Sequence, residues 1–217
     1  MKGPLDIHQY LLANDVPHEI VRLPHSTTNA LHLAEVLGLP TQRCVASHPF
    51  HVLTPTADAL VVLLRTADAA GDETAMCDLL AETLAATVGP HAVIAPACPN
   101  MVSARTDYLA SHLAPLLLPP DVIVAAAPEI YDLASSIVYT ATGDAGTALA
   151  IPAADLLTLT GARPTTVDAP ATRAVTDLVL EPTVALRPKL VTAGAGFIGL
   201  ATDGTELAAN SIRAGIG

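Results

Sequence analysis

The chain has 217 residues, 51% of them hydrophobic and 3% aromatic, with no Trp and a formal net charge of −11. That length suits one domain with an extension around a core of Ala, Val and Leu, and it leaves few aromatic platforms on which bases could stack. Cys44, Cys77 and Cys98 stand at wide, unrelated spacings that argue against a disulfide framework or a zinc cluster. No apolar run approaches the roughly 18 residues of a membrane span, and Met1 to Asp6 lacks a signal-peptide stretch, so a soluble, cytoplasmic chain without membrane contact is expected.

In chain order, the pattern predicts a helix over 5–14, a strand over 18–23, and a helix over 28–37 capped by His25-Ser26-Thr27-Thr28 and stopped by Gly38-Leu39-Pro40. Strands follow near 43–53 and 59–66. A helix over 73–88 places Met76, Leu79, Leu80, Leu84 and Val88 on one face, with Asp72 to cap its start and Gly89 its end. Strands near 91–95 and 122–126 come next. Two more, near 136–141 and 147–151, flank the turn Thr142-Gly143-Asp144-Ala145-Gly146, where glycine supplies positive φ. The helix over 152–160 opens at Pro152 and closes at Gly161. Beyond Asp168, a strand at Lys189 to Ala193 and a hairpin over 197–207 on Asp203-Gly204 give a β-rich C-terminal extension, 169–217. Such strands would join the main sheet or a partner, giving a route to a homo-oligomer.

The series from Asp121 to Gly161 resembles the C-terminal half of the YbaK-type aminoacyl-tRNA deacylases, a family also found as the editing insertion of bacterial prolyl-tRNA synthetases. Upstream, Leu5 to Leu12 with Asn14 to Val21, the His25 to Pro40 segment, and Thr106-Asp107-Tyr108-Leu109-Ala110-Ser111-His112-Leu113-Ala114-Pro115 are similar to further family segments. The last matches a Thr-Gly-Tyr-x-x-Gly-x-x-x-Pro loop, and the likeness spans about residues 5–168. It implies an α+β fold with a mixed, strongly curved, barrel-like sheet and surrounding helices, with residues 1–168 as the editing domain. The implied activity is hydrolysis of the ester of a mischarged aminoacyl-tRNA; no cofactor and no metal are expected. The implied cleft lies between 25–30, Val45 to His48, the 106–115 loop and Gly143 to Gly146. Ser111, holding the ester carbonyl, and His48 would be catalytic, with His112 as the alternative to His48 near the scissile bond, and Thr28, Ala46, Ser47, His112, Pro115, Gly143 and Gly146 would bind substrate.

Several positions depart from the family pattern. Ala46 stands where the family carries a substrate-contacting lysine, Asp107 and Ser111 replace two loop glycines, and Ala125 replaces an Asp. Residues 1–160 also hold five Lys and Arg against sixteen Asp and Glu, a poor field for tRNA phosphates. A second reading is therefore a binding or structural module that keeps the fold and has lost the chemistry.

Other motifs reduce to structure. Gly194-Ala195-Gly196-Phe197-Ile198-Gly199 has the G-x-G-x-x-G spacing, but only 18 residues follow it, too few for the helix, strand and acid of a dinucleotide site, so a turn cluster is expected. Cys44, His48 and His51 crowd one segment, yet positions 48 and 51 face opposite sides of a strand. No G-x-S-x-G elbow occurs, and Ser47 and His48, adjacent on a strand, point apart, which argues against a Ser-His-Asp hydrolase.

Overall fold

A computed structural model of the chain describes residues 1–55, 58–69, 71–88 and 92–165. The expected extension over 169–217 and the Gly194–Gly199 cluster lie outside the described residues. The elements are α1 (Pro4–Ala13), β1 (Glu19–Arg22), α2 (Ala30–Leu37), β2 (Val45–Leu53), β3 (Asp58–Thr66), α3 (Glu73–Val88), β4 (Val93–Pro96), α4 (Pro99–Thr106), β5 (Ile123–Ala126), α5 (Pro128–Asp132), β6 (Ile137–Ala141), β7 (Thr147–Pro152), α6 (Ala153–Thr160) and β8 (Arg163–Pro164). The fold is α+β. Among the described residues no helix is long and apolar enough to cross a membrane.

The strands form two sheets instead of one curled sheet. One has three antiparallel strands in the order β1-β7-β6, and the other has five in the order β4-β2-β3-β5-β8. The five-stranded sheet is mixed, since β2 runs antiparallel to β3 and β4 while β5 is parallel to β3 and β8. Neither sheet closes into a barrel, which corrects the barrel-like expectation. The reason lies at one corner, where the sheets touch through a bridge between Cys44 and Tyr139 and a bond from Thr140 Oγ1 to the Val45 carbonyl at 3.0 Å. Past Val45 the two strands part, and β2 runs on to pair with β4 from Phe50.

Burial explains the layering. Leu60 to Leu64 of β3 are all fully buried, as expected of a central strand covered on both faces. On one face Met76, Leu80 and Leu84 of α3 pack against Phe50, Val52, Val61 and Leu63, each such side chain contributing about 1.5 to 3 kcal/mol. On the other, Val45, Leu60, Val62 and Leu64 meet Ile7 and Leu11 of α1 and Val138, Leu149 and Ile151 of the small sheet. The start of α3 is held as its sequence suggests, with Asp72 Oδ1 accepting the Thr74 N–H at 3.0 Å. The α2 cap is Asn29, whose side chain accepts the His32 N–H at 2.9 Å, and Gly38 at φ 63° ends that helix. Helices α4 and α5 were not expected from periodicity. Both open on proline, at Pro99 and Pro128; α4 has Met101 and Val102 as its only large apolar side chains, and α5 has just five residues, so neither shows an apolar stripe.

Candidate functional site

Four segments converge where the two sheets touch. They are the approach to α2, the first half of β2, the 3-10 turn Ala110–His112 and the β6–β7 turn, and they enclose a cavity of about 250 Å³. Thr28, Ala46, Ser47, His48, Ser111 and His112, all drawn from the sequence, line it together with Thr27, Asp144 and Thr147.

The β2 wall is an unpaired strand edge. A bond from the Ala67 N–H to the Cys44 carbonyl at 2.8 Å sets the phase of the β2–β3 ladder, so that even-numbered residues of β2 turn their backbone groups toward β3 and odd-numbered ones toward the other edge. At that edge the Val45 carbonyl accepts from Thr140 Oγ1, and the Pro49 carbonyl accepts the Ala97 N–H at 2.9 Å. Ser47 lies between them. No described residue engages its amide or carbonyl, and its Oγ is buried without a hydrogen-bond partner.

The same cavity is lined by a Ser-His pair. Ser111 Oγ lies 2.8 Å from His112 Nδ1, and His112 Nε2 lies 2.9 Å from the Thr27 carbonyl oxygen. A carbonyl only accepts, so Nε2 carries the hydrogen and, in the neutral ring, Nδ1 presents a lone pair to the Ser111 hydroxyl. Thr27 is a fixed anchor. It is buried, and its N–H donates to the Ala145 carbonyl at 2.9 Å with Oγ1 at 3.4 Å from the same oxygen.

His48 plays a different part. It shares a strand face with Ala46 and Phe50, its Nε2 is buried without a partner among the described residues, and burial, helped by the Arg65 charge, lowers its pKa from the ordinary 6.5. Its ring is held neutral. No hydrogen bond among the described residues joins it to Ser111, so the two expected catalytic residues are not a couple. Arg65 faces Ala46 across the β2–β3 ladder, and its Nε donates to Glu129 at 2.9 Å.

Three expected binding residues lie off the cavity. Pro115 is buried and lines a separate cavity of about 470 Å³ with Tyr10, Leu117 and Val124. Gly143, at φ 90°, is packed so tightly that a Cβ there would sit 2.7 Å from the Lys2 carbonyl oxygen and 2.8 Å from the Tyr108 ring. Its role is close packing. Gly146 gives its carbonyl to the Leu23 N–H at 2.8 Å and its N–H to Asp144 Oδ1 at 3.3 Å. Of the two residues between these glycines, Asp144 does line the cavity. The sequence shows it only as a turn residue, and it names Ser111 and His112 singly, because their hydrogen bond depends on the local conformation of the 3-10 turn that carries them. Ala125 is fully buried and pairs with Leu63 and Arg163, so it belongs to the core.

No family model and no curated protein matches the chain. Solved structures do share its fold. The chain is similar to the hypothetical protein APE2540, with 19% identity and a TM-score of 0.56 over 73% of this chain and 95% of that one. It is also similar to a scaffold protein from computational epitope backbone grafting, with 18% identity and a TM-score of 0.58 over 74% and 94%. A third, a candidate trans-editing enzyme for prolyl tRNA synthetase, is 20% identical with a TM-score of 0.56 over 74% and 93%. The likeness at these identities is one of fold, and it agrees with a YbaK-like architecture.

Proposed function

We propose that this chain hydrolyses the ester of a mischarged aminoacyl-tRNA, with the aminoacyl group seated in the cavity at the corner of the two sheets. The observation that carries this reading is the cavity's charge: Asp144 lines it, and among the described residues no Lys or Arg does. A protonated α-amino group suits such a wall, whereas a phosphate or free carboxylate would be repelled. The volume points the same way. About 250 Å³ holds roughly eight waters, enough for an amino acid and its ester carbonyl, so the nucleoside would stay at the mouth.

At the ester, the unused Ser47 N–H is a donor for the carbonyl oxygen, whose negative charge grows as the tetrahedral intermediate forms. Ser111 and His112, which line the same cavity, supply proton transfer. The fold shared with a candidate trans-editing enzyme supports the same reaction class. Ala46, with no cation of its own, favours the second reading, a module that has lost the chemistry.

A deacylation assay with a panel of mischarged tRNAs tests this. Hydrolysis is expected, with Asp144→Asn raising KM about tenfold or more while kcat changes little, the loss of one charge-assisted contact. Ser47→Pro removes the open-edge N–H without breaking a ladder bond, much as Pro49 already does two residues on, and should lower kcat about 10²- to 10³-fold. A native protein inert on every tRNA would favour the module, and hydrolysis indifferent to both variants would place the reaction elsewhere.

A further inference from the structure

We infer that Ser111 is a nucleophilic serine that forms a covalent acyl-enzyme, and that the cavity therefore acts on small acyl esters without any nucleic acid. The inference uses the same cavity as the editing reading but does not require tRNA.

Three observations carry it. The hydrogen-bonded chain from Ser111 Oγ through His112 Nδ1 and Nε2 to the Thr27 carbonyl has links of 2.8 and 2.9 Å, which gives a nucleophile, a base and an orienting acceptor in series. Its orienting end is fixed, because Thr27 is buried and tied to Ala145. Its reactive end is open, because Ser111 is exposed at a cavity that Ser47 also lines, with an amide that no described residue engages. The two ring nitrogens are used in the reverse sense of the familiar triad, with Nδ1 toward serine. That follows from their adjacency: a ring only one residue along reaches the Ser111 hydroxyl through its nearer nitrogen.

The step balances as follows in its atoms and protons. Ser111 Oγ gives its proton to Nδ1 and bonds to the ester carbonyl carbon, the negative oxygen being met by the Ser47 N–H. The carbon–oxygen bond to the alcohol then breaks, and the proton on Nδ1 passes to the departing oxygen. Water attacks the acyl-Ser111 ester, Nδ1 takes its proton and returns it to Oγ, and the acid leaves. Ester and water become acid and alcohol, and the enzyme is restored.

The test uses the whole chain and a fluorophosphonate probe, in which Oγ displaces fluoride from phosphorus. Intact mass should rise by one adduct, and peptide mapping should place it on Ser111. His112→Gln should slow labelling about 100-fold or more, the scale of general-base catalysis, with an unchanged melting curve. Ser111→Ala should take no adduct, while Ser111→Cys should alkylate with iodoacetamide faster than the exposed Cys98, and lose that advantage with His112→Gln. p-Nitrophenyl acetate should give a burst of phenolate in the native protein only. Labelling elsewhere, or none in a folded protein, overturns the inference. The two readings fail separately: tRNA deacylation without a Ser111 adduct leaves editing by direct water attack, and an adduct without deacylation of any tRNA leaves the nucleophile and removes editing.

Discussion

His48 is a buried ring that lines the cavity. Its Nε2 has no partner among the described residues, and burial with the nearby Arg65 charge lowers its pKa below 6.5, so the folded state disfavours the protonated ring while the unfolded chain accepts it freely. The contribution of this group to stability is therefore present in full above about 6.5 and is lost as the pH falls from there toward the lowered folded-state value, because the unfolded state binds the extra proton first. Melting temperatures followed from pH 8 down to pH 5 should fall below that point. In His48→Leu, which suits a face shared with Phe50 and Leu63, the fall should be shallower. Superimposable pH profiles for the two proteins would mean that the ring titrates freely. Cys44 behaves similarly without a pH consequence in this range, since burial pushes its thiol up to about 11 and keeps it an inert apolar group.

Among the elements, the turn between β6 and β7 and the loop after α4 act as one unit. Lys2 Nζ donates to the carbonyls of Thr106 at 3.1 Å and Leu117 at 2.6 Å and lies over the Tyr108 ring. Tyr108 is fully buried, with its hydroxyl donating to the Leu116 carbonyl at 3.0 Å. Gly143 packs against both. A Cβ there would meet a backbone carbonyl and a fixed ring at under 3 Å, at a φ of 90°, so neither neighbour can yield. Gly143→Ala should cost about 2 to 5 kcal/mol, combining backbone strain with overpacking. It should also weaken the native reaction, since the same turn carries Asp144. A change in melting temperature of under 2 °C would show that the turn relaxes cheaply. This unit also shows what the sequence hid. The glycine was legible as a turn residue, but its contact with Lys2 spans the whole domain and leaves no local signal. Asp107 occupies the left-handed region at φ 61°, which Asp tolerates better than most residues, so the turn forms without a glycine there.

For the whole molecule, α1, α2, α3, α6 and β1 to β7 were legible because each has its own apolar period and stop signals. The division into two sheets was not, because it depends on where β2 leaves β6 and takes β4, a choice between partners far apart in the chain. The same holds for the cavity, whose segments were named from a family likeness while its Ser-His pair depends on one 3-10 turn. Charge is the property of the whole chain that bears most on substrate. With sixteen acids against five bases in residues 1–160, the domain offers few cations to displace counterions from tRNA, and each phosphate contact steepens the salt dependence by about 0.7 to 0.9. Recognition should then reside in the aminoacyl end held by Asp144 and the Ser47 edge. The kcat/KM for a minimal aminoacyl-adenosine ester should lie within about tenfold of that for the full aminoacyl-tRNA, and log kcat/KM for the tRNA should fall against log salt with a slope shallower than about −2, the value for two or three contacts. A slope near −5 would reveal a basic tRNA-binding surface that the balance of charges in this domain argues against.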